Sequence, residues 1–250
     1  SIRYDIDKGY EYTATTPHDI KAMTSRQRIR IAAIISWILS LTSIALTIYW
    51  MVHYYDGFIG KWHFRDGRIF NYHPLFMLIA FIFLAPTGAA VYRLCPNSVI
   101  SKFWQKIIHL LIQFTALIFA TVGLAAVIKF HNDFGYKNFI DVHSWCGLAT
   151  FGLFTLQLIA GFVSFVFPKL PDGPRAQIAA WHAISGKIIV LLAILTAING
   201  VQRKYGATLL TTQQKVVNSL VMVLYALFAV VFYMLTQRRA TSGESSERLY

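Results

Sequence analysis

Six apolar runs, at residues 31–52, 74–91, 107–128, 142–167, 178–201 and 216–235, constrain this chain more than any other feature of its sequence. A bilayer core about 30 Å thick takes roughly 20 residues of helix, and a segment inside it must satisfy its own backbone hydrogen bonds. The runs therefore predict an all-α membrane protein of six transmembrane helices. The 74–91 run is the shortest and needs its flanks to cross. With 14% charged residues and a mean hydropathy of +0.51, the composition leaves no soluble alternative of ordinary kind.

The net charge of +12 does not point to nucleic acid. Its Lys and Arg residues are dispersed among short loops and tails, with no single basic face. They are more numerous on the side that carries the N-terminus, which predicts cytoplasmic N- and C-termini. Arg26, Arg28 and Arg30 then read as a topology anchor meeting lipid head groups. The chain divides into a polar, basic cytoplasmic segment at 1–30, a transmembrane domain at 31–236 and a cytoplasmic tail at 237–250. The first thirty residues lack the short apolar region of a cleavable signal. Cys95 and Cys146 are expected on different sides of the membrane, too far apart for a disulfide.

Ionisable residues inside spans are costly, so each needs a reason. His73, His109, His143 and His182 each sit at or near the first turn of a run. One such histidine reads most simply as an interhelical hydrogen bond. Four in corresponding positions read differently, because consecutive runs reverse direction. His73 and His143 then share the outer leaflet, and His109 and His182 the inner one. Two neutral imidazoles facing across a bundle can ligate one iron from both sides, a b-type haem with no open position. The expectation is a four-helix core, helices 2–5, holding two such haems. Covalent attachment is excluded, since no Cys-x-x-Cys-His occurs. Zinc competes poorly, because it wants three or four ligands together.

Glycines add support. Gly147 and Gly186 fall four residues after His143 and His182, while Gly161 and Gly200 fall eighteen after them, five whole turns on. Gly123 falls fourteen after His109, near the same face. A helix bearing one ligand thus turns a glycine toward the opposite leaflet, where a flat porphyrin needs room. The competing explanation is close helix packing. The different-class alternative for the whole chain is a polytopic transporter or scaffold whose histidines relay protons or bind zinc.

These residues carry a family resemblance. Trp50-Met51-Val52-His53-Tyr54, Phe70-Asn71-Tyr72-His73-Pro74, Val91-Tyr92-Arg93, Lys106-Ile107-Ile108-His109, Phe130-His131-Asn132 and His143-Ser144-Trp145-Cys146-Gly147-Leu148 resemble the cytochrome b561 family, as do the histidine spacings of 36, 34 and 39. The resemblance implies a transmembrane ascorbate-dependent reductase. Cytosolic ascorbate would donate single electrons, through haems at His109/His182 and His73/His143, to monodehydroascorbate or a ferric chelate outside. Arg93, Lys106 and Arg175 match positions for the inner ascorbate anion, with positive-inside topology as their plainer explanation. His131 and Asn132 match the outer substrate site, where His131 could take a proton or help hold a chelated metal. Homodimerisation is a further expectation from the family, and the membrane stays open between plasma membrane and endo-lysosomal or vesicular membrane. Two departures stand out: Pro86-Thr87-Gly88 in run two, and Lys187 five residues past His182.

Overall fold

The computed structural model describes residues 2–5, 10–13, 17–59, 61–62, 65–95, 99–203 and 211–237, with side chains from residue 27 onward, residue 211 apart. Two short strands, β1 (Ile2–Asp5) and β2 (Tyr10–Thr13), pair antiparallel ahead of an otherwise helical chain. The helices are α1 (Pro17–Tyr54), α2 (Tyr72–Met77), α3 (Ala85–Leu94), α4 (Lys102–Phe134), α5 (Val142–Phe165), α6 (Asp172–Arg203) and α7 (Thr211–Thr236). A 3-10 turn at Gly67–Asn71 and a π-helical stretch at Leu78–Leu84 join α2 and α3 into one continuous span. Six helices are thus long and apolar enough to cross a membrane, one for each apolar run. The tail from 238 on, expected to be solvated, lies outside the described residues.

The short run at 74–91 gains its length from these flanks, and its irregularity has a sequence cause. Pro86 has no amide hydrogen, so the carbonyl of Ile82 loses its ordinary helical partner. In lipid that loss must be repaired within the protein. The Ser40 hydroxyl of α1 donates to Ile82 O at 2.9 Å. One turn away, Trp37 Nε1 donates to Thr87 Oγ1 at 3.0 Å. The proline therefore bends the span into a π-helical stretch and ties it to α1, without ending it.

Helix α1 packs most extensively against α7. Ser36, Ser40, Ser43 and Thr47 are buried along one stripe of α1, and Leu220, Leu224, Leu227, Val231 and Met234 along one stripe of α7. Both stripes step by three and four residues, the spacing of a single helix face. Between membrane helices such packing contacts, rather than water exclusion, supply the attraction. The remaining spans form the core: α4 packs on α2 and α3, α5 packs on α6, and α4 also meets α5. This matches the expected four-helix core, with the outermost pair braced against each other and against its flank.

Candidate functional site

At one end of the bundle, called outer here after the expected topology, the chain first fixes where His73 stands. Asn71, 1% exposed, donates through Nδ2 to the carbonyls of Tyr55 and Gly57. The Tyr72 hydroxyl donates to Ile59 O. The segment after α1 thus clasps the start of the second span. Helix α5 begins with equal definition, since Asp141 accepts from the Ser144 amide at 2.7 Å and its own amide bonds the Ser144 hydroxyl, a reciprocal capping box. These two starts bring His73 and His143 together, with ring centroids 6.1 Å apart and ring planes at 83°.

The same pairing recurs at the opposite end, inner by the same expectation, where His109 and His182 have centroids 6.3 Å apart and planes at 67°. Two imidazoles bonded end-on to one metal at about 2 Å, each ring centre about 1.1 Å behind its nitrogen, put the centroids about 6.2 Å apart. Both pairs fit an ion held between them.

Nitrogen roles follow from the hydrogen bonds. His73 Nδ1 lies 3.1 Å from Gly123 O, His143 Nδ1 3.0 Å from Thr196 O, and His109 Nδ1 2.8 Å from Gly88 O. A carbonyl only accepts, so Nδ1 carries the hydrogen in each of these rings and Nε2 keeps its lone pair for a metal. His182 is seated differently. Its ring meets Phe165 edge-on at 5.3 Å, and its backbone carbonyl accepts from Gln157 Nε2 at 2.6 Å.

The glycines prove more specific than their spacing suggested. A Cβ on Gly200 would lie 2.5 Å from His143 Cε1, and one on Gly161 would lie 2.8 Å from His182 Cε1. Each glycine therefore seats the histidine of the neighbouring helix. Gly147 lines an outer cavity of about 490 Å³ together with His73, His143 and Gly200, a volume in the range of small-molecule sites. Gly88, not singled out by spacing, supplies the carbonyl for His109.

His131 also lines that outer cavity, as do Tyr136, Lys137, Asn138 and Arg203. Its position follows from Gly135, whose positive φ of 73° ends α4 and turns the chain back, with the amides of Gly135 and Tyr136 on His131 O. His131 Nδ1 lies 3.0 Å from Asn138 Oδ1, and Asn138 Nδ2 donates to Asn132 Oδ1 at 3.1 Å. Asn132 is not among the residues lining the cavity; Asn138, which the sequence reading missed, stands there instead. Nothing in the spacing distinguishes Asn138 from a loop asparagine. At the rim, Arg203 Nε pairs with Asp141 Oδ2 at 2.6 Å.

On the inner side the cations divide. Lys106 lies within electrostatic reach of Arg175, Lys169 and Lys102. Arg175 pairs with Asp172 and donates to Leu170 O at 3.0 Å. The Arg93 guanidinium instead donates to the carbonyls of Met234, Leu235 and Gln237, closing the end of α7. Lys187 is half-buried on α6. Both cysteines are free. Among the described residues, no three His, Cys, Asp or Glu side chains converge as zinc would require.

The family description for eukaryotic cytochrome b561 matches residues 72–208, which enclose all four paired histidines. The chain belongs to the cytochrome b561 family. Within that family, a transmembrane ascorbate ferrireductase 2 of Arabidopsis thaliana is 38% identical over 160 residues, 64% of this chain and 68% of that protein. A transmembrane ascorbate-dependent reductase of Ovis aries is 35% identical over 208 residues, 81% of this chain and 80% of that protein. A lysosomal membrane ascorbate-dependent ferrireductase of Danio rerio is 34% identical over 167 residues, 67% and 66% of the two chains. The cytochrome b561 match begins and ends close to the four-helix core, leaving α1 and α7 outside it.

Proposed function

We propose that this multi-pass membrane oxidoreductase moves electrons, one at a time, from cytosolic ascorbate to an acceptor on the far side of the bilayer. The observation that carries the reading is the pair of histidine pairs, with centroids 6.1 and 6.3 Å apart at opposite ends of one bundle. Two b haems, one held by His73 and His143 and one by His109 and His182, would supply reversible one-electron chemistry with no open iron position. The relatives support ascorbate as the donor, since their names describe ascorbate-dependent reductases and ferrireductases.

The chain's own groups divide the work by side. Lys106 and Arg175 at the inner mouth attract the ascorbate monoanion, with Lys169 and Lys102 adding to the local field. Arg93 holds the end of α7 and so shapes this mouth from behind. Outside, His131 meets the acceptor, either monodehydroascorbate or a ferric chelate, and Asn132 braces the loop that frames it. Arg203 and Lys137 offer positive charge to an anionic acceptor. The apolar flanks of α5 and α6, with Trp145, Leu156, Ile159, Trp181 and Ile188 exposed, suit lipid contact. Both termini are cytoplasmic in this arrangement.

An absorption spectrum tests the reading. Purified protein is expected to contain two b haems per chain, both reducible by ascorbate. Protein folded in detergent that shows no ascorbate-reducible b-type spectrum would sink the proposal and leave proton relay as the use of the histidines.

A further inference from the structure

The outer cavity holds one imidazole, His131, that ligates nothing in the reading above, and its hydrogen bonding is asymmetric. His131 Nδ1 faces Asn138 Oδ1 at 3.0 Å, and Asn138 is itself oriented because its Nδ2 donates to Asn132 Oδ1 at 3.1 Å. The ring is further confined between Phe130 and Tyr136, with centroids 5.9 and 6.0 Å away. An amide oxygen only accepts, so Nδ1 keeps its hydrogen whether the ring is neutral or cationic. Nε2 is then the only nitrogen that can gain or lose a proton.

We propose that Asn138 is a positioning residue that confines proton exchange to His131 Nε2, and so favours outer acceptors whose reduction consumes a proton over acceptors that take an electron alone. The inference rests on the outward electron transfer proposed above. Monodehydroascorbate radical anion takes one electron and one proton to give the ascorbate monoanion. A ferric chelate takes one electron to give the ferrous chelate and needs no proton. In the first reaction the electron arrives across the membrane, His131 Nε2–H gives the proton, and the neutral ring recovers one from outer water. The second reaction leaves His131 unchanged.

Other charged groups do not replace this role. Asp141, on the same cavity, is paired with Arg203, and Lys129 on the same helix with Asp133. Lys137 and Tyr136 line the cavity too, and the Tyr136 ring lies against His131 and Phe134. Arg65, from the loop before α2, stacks its guanidinium over Phe134 at 4.8 Å. His73 and His143 turn their Nδ1 hydrogens to backbone carbonyls.

The test uses full-length protein reduced with ascorbate and then mixed with monodehydroascorbate or ferric citrate across pH 5 to 8. Wild type is expected to lose monodehydroascorbate rate as protons become scarce toward pH 8, with a flatter ferric profile. Asn138→Leu, which removes the acceptor, is expected to lower the ratio of the two rates on the order of tenfold, within the span of general acid catalysis, and to flatten the pH profile. Asn138→Asp keeps an acceptor and adds charge, so it is expected to retain the profile and move its midpoint up. A pH profile in Asn138→Leu matching wild type would overturn the inference, as would Asn138→Asp losing the ratio as fully as Asn138→Leu. The two ideas fail separately: an ascorbate-reducible spectrum in wild type upholds the function whatever the variants do.

Discussion

The outer and inner ends of the bundle use the same parts with different settings. Outside, both imidazoles donate from Nδ1 to a backbone carbonyl, Gly123 O for His73 and Thr196 O for His143. Inside, His109 does so through Gly88 O, while His182 rests its ring on Phe165 and takes its support through its own carbonyl from Gln157. A carbonyl acceptor makes an imidazole a stronger donor to a metal. Around the pairs the contrast widens. The outer cavity is framed by amides, the imidazole of His131 held by Asn138, and an ion pair, the inner mouth by Lys106, Arg175, Lys169 and Lys102. Under the proposed function, one scaffold would offer a proton-handling surface on one side and an anion-attracting one on the other.

Removing a ligand breaks the comparison most severely. In His143→Ala the outer b-type signal is expected to vanish while the inner one persists, seen as about half the haem per chain. Loss of both signals, or retention of both, would contradict the pairing. Next comes Gly200→Ala, which stands on the helix of the inner ligand His182 yet crowds the outer ligand His143. Overpacking of this kind costs about 1–3 kcal/mol. Redox titration is expected to move the outer component, whereas Gly161→Ala moves the inner one. The reverse assignment would show that the glycines act on their own helices.

A smaller effect is expected from Lys106→Ala. The proposed charge contact with ascorbate would be worth roughly 1 kcal/mol at a half-exposed site, about fivefold in the ascorbate concentration needed for half-maximal reduction. Stopped-flow reduction reads this directly, and reoxidation from outside is expected to stay within twofold or so of wild type.

An effect of similar size, on stability rather than on electron transfer, is expected at Asp141 on the outer rim. Partial burial works to raise its carboxyl pKa, but the Ser144 amide and hydroxyl and the Arg203 charge together outweigh it and hold the group below its usual range. The folded state therefore favours the carboxylate. Its contribution is full above the ordinary value, about 3.9, and fades as pH falls through the depressed one. Asp141→Ala is expected to lower stability by about 0.5–2 kcal/mol at neutral pH, the worth of a helix cap. Thermal unfolding monitored by circular dichroism should show that gap closing in acid.

Much of this architecture was legible in the sequence, for physical reasons. The membrane turns burial into long apolar runs, so six spans were visible without tertiary information. The histidine pairs were visible because alternating helix direction converts position along a run into a side of the bilayer. Residues 17–30 were read as a polar segment, yet they extend α1, since a helix in water or at an interface needs no apolar run. Asn138, Gln157 and the Ser40 bond to Ile82 O were invisible because each joins groups brought together only by folding. The Arg93 contacts were invisible for the same reason: three carbonyls at the end of α7, about 140 residues away, accept from its guanidinium. The glycines fell between. Their eighteen-residue interval was plain, but what they touch was not.

That interval has a mechanical meaning. His143 and Gly161 on α5, and His182 and Gly200 on α6, mark off the same length in opposite directions, about 27 Å at about 1.5 Å per residue. Each mark engages its counterpart on the other rod, so the two helices form a ruler locked at both ends. Neither can slide by a turn without unseating a ring at each face. A bilayer that thickens or thins around the protein can tilt this ruler but cannot stretch it, and the span the electron must cross stays fixed.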